Sequence, residues 1–217
     1  KKYFMSEKRK TPKQQRGYEA ERKIIEAALI IFSEKGYAGA RVSDIVKLSG
    51  SSTGGFYFRF QNKEALFDYM LDQYMEKCRE AIEQLHEELP GTLGELIYRV
   101  VYRNVAVVEM NQGFYRAINE VSIANPQVWN RLQSLSQELS KAVIESGKPF
   151  KNEVKAPNHE QAFRQATQLI SGWLANRASH KVSLQNIDKV AMVNMLYRAA
   201  MGVLQVSPVP DYANFEN

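Results

Sequence analysis

Ser52, Thr53, Gly54 and Gly55 set small hydroxyl-bearing or side-chain-free residues in a row, and Tyr57, Arg59 and Lys63 follow close behind. A run of this kind suits one sort of chemistry. Its hydroxyls and bare backbone can approach base edges in a nucleic-acid groove, where bulky, apolar or acidic groups are excluded, while a phenol and cations hold the phosphates alongside. Two adjacent glycines cost a helix about 1 kcal/mol each relative to alanine, a cost that close backbone approach to a partner would offset. Other chemistries lack their residues. His86, His159 and His180 are scattered, no serine or cysteine stands in a nucleophile motif, and Gly54-Gly55 lacks the strand context of a phosphate loop. No enzyme is expected. Cys78 is the single cysteine and no Cys/His cluster has zinc spacing, so neither an intrachain disulfide nor a metal or other cofactor is expected. Cys78 reads more readily as a buried inert thiol than as an oxidant sensor.

Charge separates the chain into two parts. Residues 1–63 hold 14 Lys and Arg against 6 Asp and Glu, a net +8, whereas the remainder holds 15 against 18, a net −3, giving +5 for all 217 residues. A basic end on a mildly acidic body suggests that the end meets a polyanion, most often nucleic acid, although a solvated lysine-rich tail would look similar. Hydrophobic residues make up 44% of the chain, enough for real cores, and no apolar run approaches the roughly 18 residues of a membrane span. The first residues are basic and polar, with no apolar signal core, so a cytoplasmic protein without membrane contact is expected.

The elements that must position the polar run are helical. Apolar residues recur at helical spacing over nearly the whole length and no alternating strand pattern appears, which predicts an all-α fold of about nine helices. A first helix is expected from about Tyr18 to Lys35, stopped by Gly36, with Ile24, Ala28, Ile31 and Phe32 on one face. Val42, Ile45 and Val46 mark a short second helix that Ser49 and Gly50 break. A third, capped by Ser51 or Ser52, carries Phe56 and Phe60 inward and ends at Gln61 and Asn62, after which Asn62 caps a long fourth helix. Further helices are expected over about 92–111, 114–124, 126–146, 158–179 and 184–205. The domain reading is a flexible basic arm over 1–17, a three-helix helix-turn-helix domain over 18–63, and a larger helical domain over 64–217.

The string from Gly54 to Phe67, with Asp44-Ile45 before it and Phe32 to Tyr37 before that, resembles the DNA-binding domain of the TetR family of transcriptional regulators. The resemblance spans roughly Arg22 to Phe67. It implies a ligand-responsive DNA-binding regulator, most often a repressor that releases its operator when a small molecule binds; an activator, or a nonspecific DNA-organising protein with the same head, remain alternatives. On this reading Arg41, Ser52, Thr53, Gly54, Gly55, Tyr57, Arg59 and Lys63 meet duplex DNA, Tyr57 and Lys63 through the backbone. Three positions depart from the family pattern. Arg41 stands where threonine is usual and puts a cation at the positive end of a helix dipole, Ser51 replaces a valine, and Arg59 replaces a histidine and can reach a phosphate or an outer base. Lys8, Arg9, Lys10, Lys13 and Arg16 form an arm that can track the backbone or enter the minor groove.

A single recognition helix reads few bases, so a twofold dimer is expected, and the resemblance places its contact on the last two helices. Those carry Phe163, Leu169, Ile170, Gly172, Trp173, Ala175 and Ala178, then Val190, Val193, Leu196, Tyr197, Ala200, Met201 and Leu204. The other reading of that set is core within one protomer. Tyr74, Tyr98, Tyr102, Met110, Phe114, Tyr115 and Trp129, an aromatic and methionine-rich set, are the candidates for an effector site, against the plainer reading that helical aromatics fill the core.

Overall fold

The computed structural model describes residues 12–87, 90–179 and 187–211; Lys8, Arg9 and Lys10 of the expected arm lie outside them. Among the described residues the chain forms nine α-helices, one 3₁₀ turn and no strand. None of the helices is long and apolar enough to cross a membrane. Helix α1 (Pro12–Gly39) begins earlier than the expected Tyr18. Proline is tolerated in a first helical turn, and the Lys, Gln and Arg residues that follow are good helix formers. Lys13 and Arg16 therefore belong to a helix and not to a flexible arm. The same helix breaks at Gly36, whose φ of 71° and ψ of 173° suit glycine alone. A Cβ at Gly36 would collide with the Glu120 carboxylate, which accepts the Ala38 amide at 3.1 Å.

Helices α2 (Val42–Ser49) and α3 (Thr53–Tyr57) follow, joined through Gly50 in the left-handed region at φ 66°. α3 is shorter than the expected span to Gln61, although Phe60 still donates its amide to the Phe56 carbonyl at 2.9 Å and so keeps one more turn. Then come α4 (Lys63–Glu87), α5 (Leu93–Met110), α6 (Gln112–Ala124), α7 (Pro126–Gly147), the 3₁₀ turn Lys148–Phe150, α8 (His159–Ser179) and α9 (Lys189–Val203). α9 begins after the expected Leu184, with Asp188 accepting the Ala191 amide as its cap at 2.8 Å; residues 184–186 lie outside the described residues. Asn62, Thr92 and Asn158 cap α4, α5 and α8 in the same way.

The chain packs as two compact units whose boundary differs from the expected break after residue 63. The first runs up to Lys77 and takes in Gly113–Pro126; the second comprises Cys78–Gln112 and the residues from Gln127 onward. Three short or broken helices bury too little surface alone, and the first unit completes its core with the start of α4 and with α6. Ile24, Phe32, Ile45, Phe56, Leu66, Leu71 and Phe114 are fully buried there, and the Phe67 and Phe114 rings meet at 5.4 Å. Gly113 lets α6 press against α1, since a Cβ at that position would strike the Leu29 carbonyl and Ser33.

In the second unit α5, α8 and α9 pack on one another. Their core holds Leu93, Val101, Val105, Ile170, Leu174, Met192, Leu196, Tyr197 and Met201. Burial raises the Tyr197 hydroxyl to about 12, and that hydroxyl donates to the Pro210 carbonyl at 3.1 Å.

Candidate nucleic-acid interface

Ser52 supplies the cap of α3. Its side-chain oxygen accepts the Gly55 amide at 2.9 Å, which settles the choice between Ser51 and Ser52; the Ser51 amide instead donates to the Ser49 hydroxyl at 3.3 Å. From that cap the residues divide by face. Phe56 is fully buried and Phe60 nearly so, with Phe60 packed on Tyr69 at 5.5 Å and the Tyr69 hydroxyl donating to Glu21 at 2.7 Å. Burial and the Glu21 carboxylate push the Tyr69 hydroxyl above its ordinary range. Thr53, Gly54, Tyr57 and Phe58 take the opposite side and are exposed. They pair at i, i+4, Thr53 with Tyr57 and Gly54 with Phe58, so they form one continuous face.

The two glycines of this helix differ in what the fold asks of them. A Cβ at Gly55 would stand 3.0 Å from the Ser52 oxygen, a tight fit against the cap, whereas a Cβ at Gly54 would meet nothing within 4 Å. Gly55 is thus partly explained by local structure and Gly54 is not.

Two expected phosphate ligands turn inward. The Lys63 ammonium donates to the Tyr37 carbonyl at 2.8 Å and the Ala40 carbonyl at 3.0 Å, and lies 4.3 Å from the Tyr37 ring centroid. It holds the carbonyl end of α1, where a cation is favoured by the helix dipole. Burial, followed by the Glu64 carboxylate, pushes the Tyr37 hydroxyl above its ordinary range. The Arg59 guanidinium donates to the Gly55 carbonyl at 2.9 Å and to the Gly17 carbonyl at 3.3 Å, closing the end of α3 onto α1. Both groups are half-buried and tied to backbone carbonyls, where the resemblance implied contacts with DNA.

Arg41 does stand exposed. It precedes α2 in an extended conformation and makes no side-chain cap. Its conflict with the helix dipole is relieved by Asp44 in the first turn, a compensation the sequence reading missed although Asp44 lies three residues on. The Lys35 ammonium donates to Asp44 at 2.8 Å and holds that carboxyl below its usual range.

The aromatic candidates for an effector site are not gathered into one unit. Tyr74, Phe114 and Tyr115 belong to the first. Phe114 is fully buried, Tyr74 nearly so, and the Tyr74 and Tyr115 hydroxyls share a short hydrogen bond. Tyr98, Tyr102, Met110 and Trp129 belong to the second. There Tyr98 is buried and stacks on the exposed Tyr102 at 5.8 Å, the Lys189 ammonium lies 4.3 Å from the Tyr102 ring centroid, and Met110 and Trp129 are exposed.

Most of the apolar set on α8 and α9 fills the core of its own protomer. Phe163, Ile170, Ala178, Val193, Leu196, Tyr197, Ala200, Met201 and Leu204 are buried, as expected if the pair must first complete a single unit. Leu169, Gly172 and Val190 remain exposed, with Trp173 and Ala175 half-buried.

A sequence profile described as "Bacterial regulatory proteins, tetR family" matches residues 24–70, the stretch that contains α2, α3 and their supports. YdgC of Bacillus subtilis (strain 168), an HTH-type transcriptional regulator described as uncharacterized, is 36% identical over 70 residues, 32% of this chain and 36% of that protein. IcaR of Staphylococcus aureus (strain Newman), the HTH-type negative transcriptional regulator of the biofilm operon icaADBC, is 26% identical over 132 residues, 56% of this chain and 66% of that protein. The chain thus spans about a third of the length of the first of these relatives and just under two thirds of the second. Among solved structures, the transcriptional regulator FadR from Bacillus subtilis in complex with stearoyl-CoA superposes with a TM-score of 0.61 at 22% identity, covering 82% of this chain and 96% of that one, a likeness of fold. Residues 24–70, with α2 and α3 inside them, thus match the profile of the tetR family of bacterial regulatory proteins, and the fold over most of the chain is similar to that of a solved transcriptional regulator.

Proposed function

We propose that the chain is a dimeric DNA-binding transcriptional regulator, a repressor that leaves its operator when a small molecule binds. One observation carries the DNA-binding part: Gly54 lies on the exposed face of α3 at a place where the fold has room for a side chain and does not use it. A glycine that weakens a helix with no internal benefit is accounted for by a partner whose surface must come close to the backbone. Duplex DNA fits, because residues 1–63 carry net +8 and the neighbouring exposed groups are hydroxyls, a phenol and the Arg41 cation. Ser52, Thr53 and Gly54 face the bases, Tyr57 and Arg41 face the sugar-phosphate backbone, and Gly55, Arg59 and Lys63 hold the reading helix in place.

The dimer follows from the geometry of reading, since one helix of five residues contacts too few base pairs for useful specificity. Gly172 on α8 and Gly202 on α9 are exposed with open space at their Cβ positions, and Leu169 and Val190 on the same two helices are exposed as well. These are features that suit close packing against a second copy. Release by an effector draws support from the relatives: IcaR is a negative regulator by name, and the FadR complex holds an acyl-CoA. For this chain the effector candidates narrow to Tyr102, Met110, Trp129 and the half-buried Tyr115, because Phe114, Tyr74 and Tyr98 are buried in the cores of their units.

Enrichment of bound duplexes from a random pool tests the reading. A regulator yields a defined palindromic sequence bound at least about 10³ times more tightly than random DNA at the same salt concentration, whereas near parity would identify a DNA organiser. Light scattering should give twice the 24.8 kDa chain mass, and a monomer would remove the dimer. Titration of the bound complex with small molecules, stearoyl-CoA first, identifies an effector by loss of operator affinity.

A further inference from the structure

Phe58 is the most exposed large apolar side chain among the described residues, at 86%. The fold makes no evident use of the ring, since Phe56 and Phe60 on either side fill the core and leave Phe58 pointing away from it. Its backbone is still helical, at φ −64° and ψ −28°, and its amide donates to the Gly54 carbonyl at 2.9 Å. That bond sets Phe58 one turn beyond Gly54 on the same face. This face is therefore bare at Gly54 and carries an exposed apolar ring one turn on, at Phe58. The ring is also flanked, because the Arg59 guanidinium lies 5.9 Å from its centroid and is itself tied to two backbone carbonyls.

We infer that Phe58 is a specificity-determining residue, packing its ring against the C5 methyl of a thymine that meets this face; the inference rests on the DNA-binding reading above. A phenyl ring has no hydrogen-bond donor, so unlike Tyr57 it cannot anchor a phosphate oxygen. In the major groove the one apolar group on a base edge is the thymine methyl, and aromatic or aliphatic contact with it separates thymine from cytosine. The exposed face has the matching character, apolar at Phe58 and free of a Cβ at Gly54.

The test uses the full chain and the sequence it enriches from a random duplex pool. Each thymine of that sequence is replaced in turn by uracil, which pairs identically and lacks only the methyl, at salt low enough for all variants to bind measurably. In the wild type, one thymine per half-site should show binding weakened about four-fold on replacement, the factor expected for one buried methyl-sized group. In Phe58→Ala the same replacement should change nothing, and Phe58→Leu should keep a reduced sensitivity. Because Phe58 is exposed, the melting temperature of Phe58→Ala should match that of the wild type, which separates a lost contact from a lost fold. The inference is overturned if no thymine shows methyl sensitivity in the wild type, or if the sensitivity persists in Phe58→Ala. A uniform loss of affinity in Phe58→Ala without methyl dependence would also overturn it, placing the ring on sugar. Failure of the wild type to bind DNA at all removes the earlier reading itself, a result distinct from binding without methyl dependence.

Discussion

The start of α3 and the end of α7 each carry a glycine, in opposite surroundings. Gly147 closes α7 where the Phe163 ring of α8 lies so near that any Cβ would strike it, and Phe163 is itself buried. Gly54 stands exposed above Phe58, with nothing within 4 Å of the place its Cβ would take. One glycine is required by packing within the chain; the other is not, and the proposed DNA contact would account for it. Burial separates the phenylalanines in the same way, because Phe163 belongs to a core and Phe58 to a surface.

The contrast is sharpest within α3 itself. Phe56→Ala should lose about 3–5 kcal/mol of stability, the usual cost of emptying a buried aromatic site, whereas Phe58→Ala, on an exposed site, should stay within about 0.5 kcal/mol of the wild type. Chemical denaturation of both variants checks this, and equal losses would show that the two phenylalanines share one role. Next in size, Gly147→Ala should cost about 1–3 kcal/mol by overpacking against Phe163, with operator affinity unchanged well below its melting temperature. A stable Gly147→Ala protein would mean that the junction of α7 and α8 yields more readily than its contacts suggest.

Lys63 tests the boundary between support and contact. Its ammonium can donate three hydrogen bonds, and the Tyr37 and Ala40 carbonyls accept two of them. Lys63→Ala should therefore cost about 1 kcal/mol of stability, near the lower end for charge-assisted bonds because the site is half-open. The slope of log binding constant against log salt should remain as in the wild type. A fall of about one unit in that slope would mean that the ammonium meets a phosphate after all.

How far the sequence discloses this molecule depends on how local each cause is. Helix ends were legible where a cap acts over three residues: Asn62 accepts the amide its position predicts, and Thr92 and Asn158, expected only as helix starts, cap in the same way. The exposed face of α3 was legible because Phe56 and Phe60 fix its register. What escaped is set by distant parts of the chain. Nothing near Gly36 announces the Glu120 carboxylate that fills its missing side chain, nor does the basic count reveal that Lys63 and Arg59 are spent on carbonyls of α1 and α3. Aromatic content singled out Tyr74, Phe114 and Tyr98 as effector-site candidates, with no sign that they lie in separate units. Phe58 was passed over as one aromatic among several, although its spacing from Gly54 was the available signal.

Gly54→Ala is the smallest and most discriminating change. In the free protein, alanine removes a glycine from a helix at a position where a methyl meets open space, so stability should rise by about 0.5–1 kcal/mol. On DNA the same methyl must fit between the α3 backbone and the bases, and affinity for the enriched sequence should fall while the weak binding to random DNA stays nearly constant. Stability and specificity thus move in opposite directions from a single methyl, a pattern that a purely structural glycine cannot produce. If both rise together, Gly54 does not approach DNA closely, and the reading face must be moved from Gly54 and Phe58 toward Thr53 and Tyr57.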